Sequence, residues 1–446
     1  MRNTFRGGIH PEERKELSRN SSLRAYDAKG EMAYPLAQHI GKPAKAIVQP
    51  GDAVKVGQIL AEADGFVSAH VISSCSGTVK GIEQRATLSG PAQTCVIVDN
   101  DGKYTPAARW DKRDELSALS DKDILERVKA AGIVGMGGAG FPTHVKLQPK
   151  DPSAIRYVIA NGAECEPYLT GNDWLMRTRA TEILDGLTVI LRLFPNAEGV
   201  VAIEENKPEA LDAMRQAAQG KERIQVLDMK TKYPQGGERS LIQAIAGKDF
   251  KITELPADAG CIVDNVGTIY AVGKAVLYKE ALCVHAITVS GDAVQEPCNL
   301  LIRNGMSFAE LLDAAGGVKD GVRLKKALAG GPMMGIALAS LEIPVQKNNN
   351  GFILLSVDEN EKVERQQTAC LHCGRCTTVC PTGLMPFMMA DAAEREDFDR
   401  YENALYGLEC ITCVSCSYIC PAKRPLTETF KDSKAAIMAR KRAGGR

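Results

Sequence analysis

Gly135-Met-Gly-Gly-Ala-Gly-Phe-Pro-Thr-His-Val-Lys146 sets the reading of the middle of the chain. Five of its first six residues are small, so the backbone can approach a ligand closely and present free amide hydrogens to a phosphate, especially if a helix starts at Pro142. A glycine loop alone is also an ordinary tight turn, and its meaning depends on the segments downstream of it. Ile155-Arg-Tyr-Val-Ile-Ala160 predicts a buried strand that ends in Asn161-Gly-Ala-Glu-Cys-Glu-Pro167. Carboxylates at that end of a strand lie where open α/β sheets bind ligands. A helical pattern over 181–193 and a second apolar run at 200–203, ending in Glu204-Glu205, complete an alternation that predicts a parallel, Rossmann-like sheet. Tyr233-Pro-Gln-Gly-Gly-Glu-Arg239 and Asp264-Asn-Val-Gly-Thr268 read as further ligand loops or as plain turns.

Downstream, 286–317 reads as strand, turn, strand and helix, a small α+β unit. The methionines of Gly330-Gly-Pro-Met-Met-Gly335 are expected to fill core, and Gln346-Lys-Asn-Asn-Asn-Gly351 reads as a polar connection. Two cysteine runs come next, with Cys370, Cys373, Cys376 and Cys380-Pro381 in the first and Cys410, Cys413, Cys416 and Cys420-Pro421 in the second. Both repeat C-x2-C-x2-C-x3-C-P, which is similar to the bacterial ferredoxin pattern, where the cysteine before proline ligates the other cluster. That pattern assigns Cys370, Cys373, Cys376 and Cys420 to one 4Fe-4S cluster, and Cys410, Cys413, Cys416 and Cys380 to a second. Structural zinc has no use for a third cysteine plus C-P in each run, and disulfides are disfavoured for the same pattern. His372 lies inside the first run as a spacer, since four cysteines per cluster are already present. The stretch 385–408 has helical composition, so a helical two-cluster domain is expected.

Upstream, 1–100 reads as β-rich, with Val48 to Leu60 alternating around a Pro50-Gly51-Asp52 turn. The pattern resembles lipoyl- or biotinyl-type barrel sandwiches, but Glu62-Ala-Asp64 is followed by Gly65 and not by a modifiable lysine, so a scaffold or docking role is expected. A charged linker, 111–122, leads into an amphipathic pattern at Ile124, Leu125, Val128 and Ile133. Lys plus Arg and Asp plus Glu balance at 55 each, which argues against a nucleic-acid binder. No leader-like apolar core is read in 1–11 and no transmembrane run anywhere, so no membrane span of its own is expected. Cys75, Cys95, Cys165, Cys261, Cys283 and Cys298 are expected to be small buried hydrophobes in a reducing compartment.

The glycine loop, with 161–167 after it, resembles the flavin-binding subunit of respiratory complex I, whose segments read G-R-G-G-A-G-F-P and N-A-D-E-x-E-P. With Phe5-Arg-Gly-Gly-Ile-His-Pro11, Gln38-His-Ile-Gly41 and the paired cysteine runs, nearly the whole chain resembles the C subunits of Rnf electron-transport complexes. The resemblance implies a multidomain α/β protein: a barrel-sandwich domain over 1–110, a Rossmann-like FMN- and NADH-binding domain over 120–275, a β-grasp SLBB domain over 276–345 and a helical two-cluster domain over 355–446. It further implies that Gly135, Gly137, Gly138, Gly140, Lys146, Asn161 and Glu164 line non-covalent FMN, with Asn265 and Thr268 at its phosphate. Glu166 is implied at the flavin ring and the nicotinamide as the catalytic-site carboxylate, and Tyr233, Gly236 and Glu238 at the dinucleotide. Met136, Ala163 and Asp264 depart from the family's arginine, aspartate and asparagine. His144 is read as a flavin contact or a solvent-facing residue.

A nicotinamide delivers two electrons together and a cubane accepts one, so a flavin between them is the expected converter. The implied function is the NAD(H)-reactive subunit of a membrane-bound, ion-translocating ferredoxin:NAD+ oxidoreductase. Its partners would be the integral membrane and iron–sulfur subunits of the Rnf complex, at the cytoplasmic face of the cell membrane. Two alternatives are a soluble flavin/iron–sulfur reductase of related build, such as a cobalamin reductase or the electron donor to proline reductase, and an electron-wiring adaptor without NADH activity. The basic tail, 431–446, reads as a solvated helix end.

Overall fold

Strands Tyr157–Gly162, Glu198–Glu204, Ile224–Met229 and Cys261–Asn265 form a parallel sheet in the spatial order third, second, first, fourth. This computed structural model of the protein describes residues 3–358 and 366–444. The strands are apolar on both faces because helices cover both. Val158, Ala160, Val201 and Ile203 pack with the helices Ala180–Arg192 and Val266–Tyr278, whereas Ile159, Ala202, Cys261 and Val263 face Leu241 and Ile242 of the helix Glu238–Ala246. After its first strand the chain builds to one side, then returns to the other with Cys261–Asn265. The switch point therefore lies between the first and fourth strands, where Asn161 and Asn265 are register partners.

Before this sheet stand two small antiparallel sheets. One pairs Met32–Pro35, Gln93–Asn100, Gly77–Arg85 and Ala53–Val54 in that order, and the other pairs Lys45–Ala46, Ile59–Glu62 and Val71–Ile72. Their inward residues, among them Met32, Tyr34, Leu60, Val79 and Val96, share one core with Ile287, Leu300, Phe308 and Phe352 of the following β unit. That unit is a six-stranded sheet, and its edge strand, Arg24–Ala25, comes from the N-terminal part of the chain and pairs with Cys298–Arg303. A shared core and a shared sheet fix the two β units against each other.

Residues 346–351, expected to be a polar connection, are instead largely buried. Lys347 is 1% exposed and donates to the carbonyls of His70 (2.6 Å) and Gly132 (2.7 Å), and the strand Gly351–Leu355 then joins the six-stranded sheet. Of the two methionines expected to fill core, Met333 packs partly buried against Ile9, Tyr233 and Val379, whereas Met334 is 51% exposed. Polar residues are buried at 346–351 because their hydrogen bonds reach other domains, which local composition does not reveal.

The C-terminal unit is helical, with Arg375–Thr378, Pro386–Glu394, Ser415–Ile419 and Leu426–Gly444 around Met389, Tyr401 and Phe430. Its two cysteine runs fold alike. His372 and Gly374 in one, and Thr412 and Val414 in the other, have positive φ, which curls each run around its own cysteines.

Candidate electron-transfer site

The glycine loop crosses the switch point of the parallel sheet. Gly135 N–H donates to Phe141 O (2.8 Å), Met136 N–H donates to the buried Thr268 Oγ1 (2.9 Å), and Gly137, Gly138 and Ala139 are exposed. Asn348 Nδ2 donates to Gly138 O (2.6 Å), and Ile40 N–H donates to Gly140 O (3.2 Å). Gln38-His-Ile-Gly41 and the 346–351 segment thus brace the loop from outside the sheet. Asn265 caps the helix Val266–Tyr278, its Oδ1 accepting from Gly267 N–H at 2.8 Å. The exposed loop amides and that helix start form an open cradle, and a Cβ at Gly138 would meet nothing within 4 Å. This part fits a phosphorylated flavin.

Lys146 is differently placed. Its ammonium donates to Val263 O (2.7 Å), stands 3.1 Å from Asp264 Oδ1 and lies 3.9 Å from Glu238 Oε1. Burial lowers its pKa most, but Asp264 and Glu238 outweigh it and hold the group above its usual value. Burial raises both carboxyls, and neither Asp264 oxygen has a hydrogen bond of good geometry. Two carboxylates around one ammonium leave local negative charge where the resemblance expects an anionic cofactor. Asp264→Asn is therefore expected to tighten FMN retention by about tenfold, the scale of one charge at such distances, as read by dialysis followed by flavin fluorescence.

The 161–169 loop gathers several expected residues. Asn161 Nδ2 donates to Gly236 O (2.8 Å) and its Oδ1 accepts from Ala163 N–H (3.2 Å), tying this loop to the one that carries the buried Tyr233. Glu164, at φ 49°, is taken up by a helix start: its carboxylate accepts from Asn172 N–H (2.7 Å) and Asp173 N–H (3.1 Å) and caps the helix Gly171–Thr178. Glu166 accepts from the amides of Met333 (3.0 Å) and Met334 (2.9 Å). Burial pushes its carboxyl up to about 7, against the two amide bonds.

Beneath the loop sits Lys15, 8% exposed, donating to the carbonyls of Glu164 (2.9 Å), Glu166 (2.9 Å) and Leu169 (2.6 Å). Sequence reasoning missed it, since a lysine within Glu12-Glu13-Arg14-Lys15-Glu16 looks solvated. The Phe5-Arg-Gly-Gly-Ile-His-Pro11 segment runs between the parallel-sheet domain and the C-terminal unit: Ile9 bridges Tyr233, and Gly8 N–H donates to Val379 O (2.9 Å). At Gly7 (φ 71°) a Cβ would lie 2.7 Å from Val379 O and 2.8 Å from Cys380 O, so only glycine fits.

Cys380, Cys410, Cys413 and Cys416 line one small cavity, and Cys370, Cys373, Cys376 and Cys420 line another. The thiols ring these spaces and do not converge on a point; among the described residues, no three His, Cys, Asp or Glu stand close enough to hold a single ion. Four soft donors around a cavity suit a cubane, whose iron corners lie apart. Backbone amides of His372, Leu384 and Thr412 point at the sulfurs of Cys370, Cys380 and Cys410, at 3.3–3.4 Å.

The first cavity faces the parallel-sheet domain, where Cys413, like Cys165 and Met333, packs against the buried group Ile9, Tyr233 and Val379, and Glu409 accepts from Arg239 (3.1 Å) and from Ile252 N–H (2.8 Å). Cys165 thereby differs from the other five scattered cysteines, which are fully buried. At the second cavity Cys373 is exposed and Leu371 is 63% exposed. His144, read as a flavin contact or solvent-facing, does not face solvent: it is buried, with its pKa pushed down to about 4 by burial and then by Lys129, His70 and His39. In the basic tail Lys434 donates to Cys410 O and Lys441 pairs with Glu402; 445–446 lie outside the described residues.

A nucleotide-type cradle joined to two four-thiol cavities marks an electron-transfer protein of the flavin and iron–sulfur class. Residues 128–274 match the family described as the Nuo51 FMN-binding domain, and 3–103, 286–337 and 362–421 match the RnfC barrel sandwich hybrid, SLBB and 4Fe-4S dicluster domains. The chain is 39% identical over 442 residues to the C subunit of the Na+-translocating ferredoxin:NAD+ oxidoreductase complex of Acetobacterium woodii, covering 99% of this chain and 98% of that one. It is 37% identical over 404 residues to the C subunit of the proton-translocating complex of Clostridium ljungdahlii, covering 91% and 87%. The chain belongs to the RnfC family, the C subunits of ion-translocating ferredoxin:NAD+ oxidoreductases.

Proposed function

We propose that this chain is the NAD(H)- and FMN-binding subunit of a membrane-bound, ion-translocating ferredoxin:NAD+ oxidoreductase, passing electrons between nicotinamide, flavin and two 4Fe-4S clusters. The observation that carries this reading is that Cys413, Cys165 and Met333 all pack against one small group of buried residues, Ile9, Tyr233 and Val379, which sets one four-thiol cavity beside the loops around Glu166. Bound flavin supplies the exchange between hydride and single electrons. The protein's residues do the placing: the loop amides and the Val266–Tyr278 helix start hold phosphate, and the Asn161–Gly236 contact keeps the two loops together. The Cys380, Cys410, Cys413 and Cys416 set is then the inner station, and the Cys370, Cys373, Cys376 and Cys420 set, with its exposed edge, the outer one.

Among the described residues no helix is long and apolar enough to cross a membrane, in keeping with a subunit held at the cytoplasmic face by membrane and iron–sulfur partners. Purified protein should show flavin absorbance that bleaches on adding NADH, followed by partial loss of the iron–sulfur absorbance. Iron–sulfur absorbance alone, indifferent to NADH, would instead establish the wiring adaptor. Co-purification with integral membrane subunits from native membranes is the expected result that separates this reading from a free-standing soluble reductase.

A further inference from the structure

We propose that the 330–335 loop of the SLBB unit is a positioning element of the hydride site, its Met333 and Met334 amides holding the Glu166 carboxylate in the orientation that meets the nicotinamide. The inference rests on the proposed place of Glu166 at the nicotinamide. Both carboxylate oxygens are used, Oε2 accepting from Met333 N–H at 3.0 Å and Oε1 from Met334 N–H at 2.9 Å, so the group is fixed in rotation as well as in place. A buried carboxylate is costly unless its charge is met by donors, and no side-chain hydrogen bond supplies one here. The methionines act through their backbones, which accounts for an exposed Met334.

The loop is built for this approach. At Gly331 a Cβ would lie 2.7 Å from both Cβ and Cδ of Glu166, so any side chain drives the two segments apart. Gly335 N–H donates to Gly331 O (2.8 Å) and Gly330 N–H to Gly351 O (2.7 Å), closing the turn and anchoring it to the six-stranded sheet. From the opposite side Lys15 holds the Glu166 main-chain carbonyl. The Met333 side chain packs in the group that contains Cys413 and Cys165, so one loop references both the carboxylate and the inner cluster's ligand.

The test uses the full chain with flavin and clusters present, in the variants Glu166→Gln, Gly331→Ala and the two combined. NAD+ is the probe, titrated calorimetrically, and NADH reduction is followed in parallel. Each single change should weaken NAD+ binding by about tenfold, the scale of a charge-assisted hydrogen bond, and raise KM for NADH more than it lowers kcat. The combined variant should bind no worse than the weaker single one, because Gly331 acts only through Glu166. Multiplying penalties, or a Gly331→Ala protein that binds NAD+ normally while Glu166→Gln does not, would overturn the inference and leave the reading of Glu166 intact. Normal binding by Glu166→Gln would remove that reading and the inference with it. Hydrogen exchange supplies a measurement independent of NAD+ and of the loop variant: in Glu166→Ala the Met333 and Met334 amides should exchange at least tenfold faster, and unchanged protection there would count against the contact.

Discussion

Replacing Cys420 by serine is expected to destroy the cluster held by Cys370, Cys373 and Cys376, and to spare the one held by its own neighbours. Cys420 lines the cavity with the first run, while Cys380 lines the cavity with the second. Iron should fall by about half, and the low-temperature paramagnetic spectrum of the reduced protein should lose one of two signals. Because the lost cluster is the outer one, NADH should still reduce the cluster that remains. Cys380→Ser is the informative converse: the inner cluster goes, and the outer one, though assembled, should no longer be reduced quickly from NADH. If Cys420→Ser left the outer cluster and removed the inner, the crossed ligation would fall.

The cysteine pattern was readable because cluster ligation imposes a spacing on a single continuous run. Each cysteine triplet needs two residues between thiols, and the positive φ at His372, Gly374, Thr412 and Val414 is a local consequence of that wrap. The parallel sheet was readable for a similar reason, since strands covered on both faces leave continuous apolar runs such as 155–160. The helix expected over 181–193 is observed as Ala180–Arg192.

What stayed hidden depends on partners far away in the chain. Glu164 and Glu166 are two residues apart and look equivalent, yet one caps a helix and the other meets a loop more than 160 residues downstream. The difference arises because Glu164 takes a positive φ, and nothing in Asn161-Gly-Ala-Glu-Cys-Glu-Pro167 announces that. Asp264 was visible as a departure, but its pairing with Lys146 was not. Ala163, another departure, is fully buried, and its carbonyl accepts from the buried Lys207 at 2.7 Å, so an aspartate side chain there would enter a packed interior.

Lys15→Met should produce a large loss of stability. Methionine roughly keeps the volume and removes the donor, so the carbonyls of Glu164, Glu166 and Leu169 lose a shared partner in a buried setting. An unsatisfied buried polar group costs about 1–3 kcal/mol, so the loss should be on the order of 3 kcal/mol or more. Electrostatics offset part of it, because the substitution also removes a buried charge. The strongest influence on Lys15 is burial, which lowers its pKa, followed by repulsion from Lys207, while Glu164 and Glu204 favour its charge. Removing the ammonium leaves those carboxylates with less compensation, although Lys207 still donates to Glu204 at 3.1 Å. The first thermal unfolding transition should shift down by several degrees, as expected for a change of that size in a domain of about 150 residues or more. Because Lys15 holds the loop that carries Glu164 and Glu166, NADH bleaching of the flavin should weaken while iron content stays close to normal. A Lys15→Met protein that unfolds with the unaltered one would mean that water replaces the ammonium at these carbonyls, and that Lys15 does not hold the 164–169 loop.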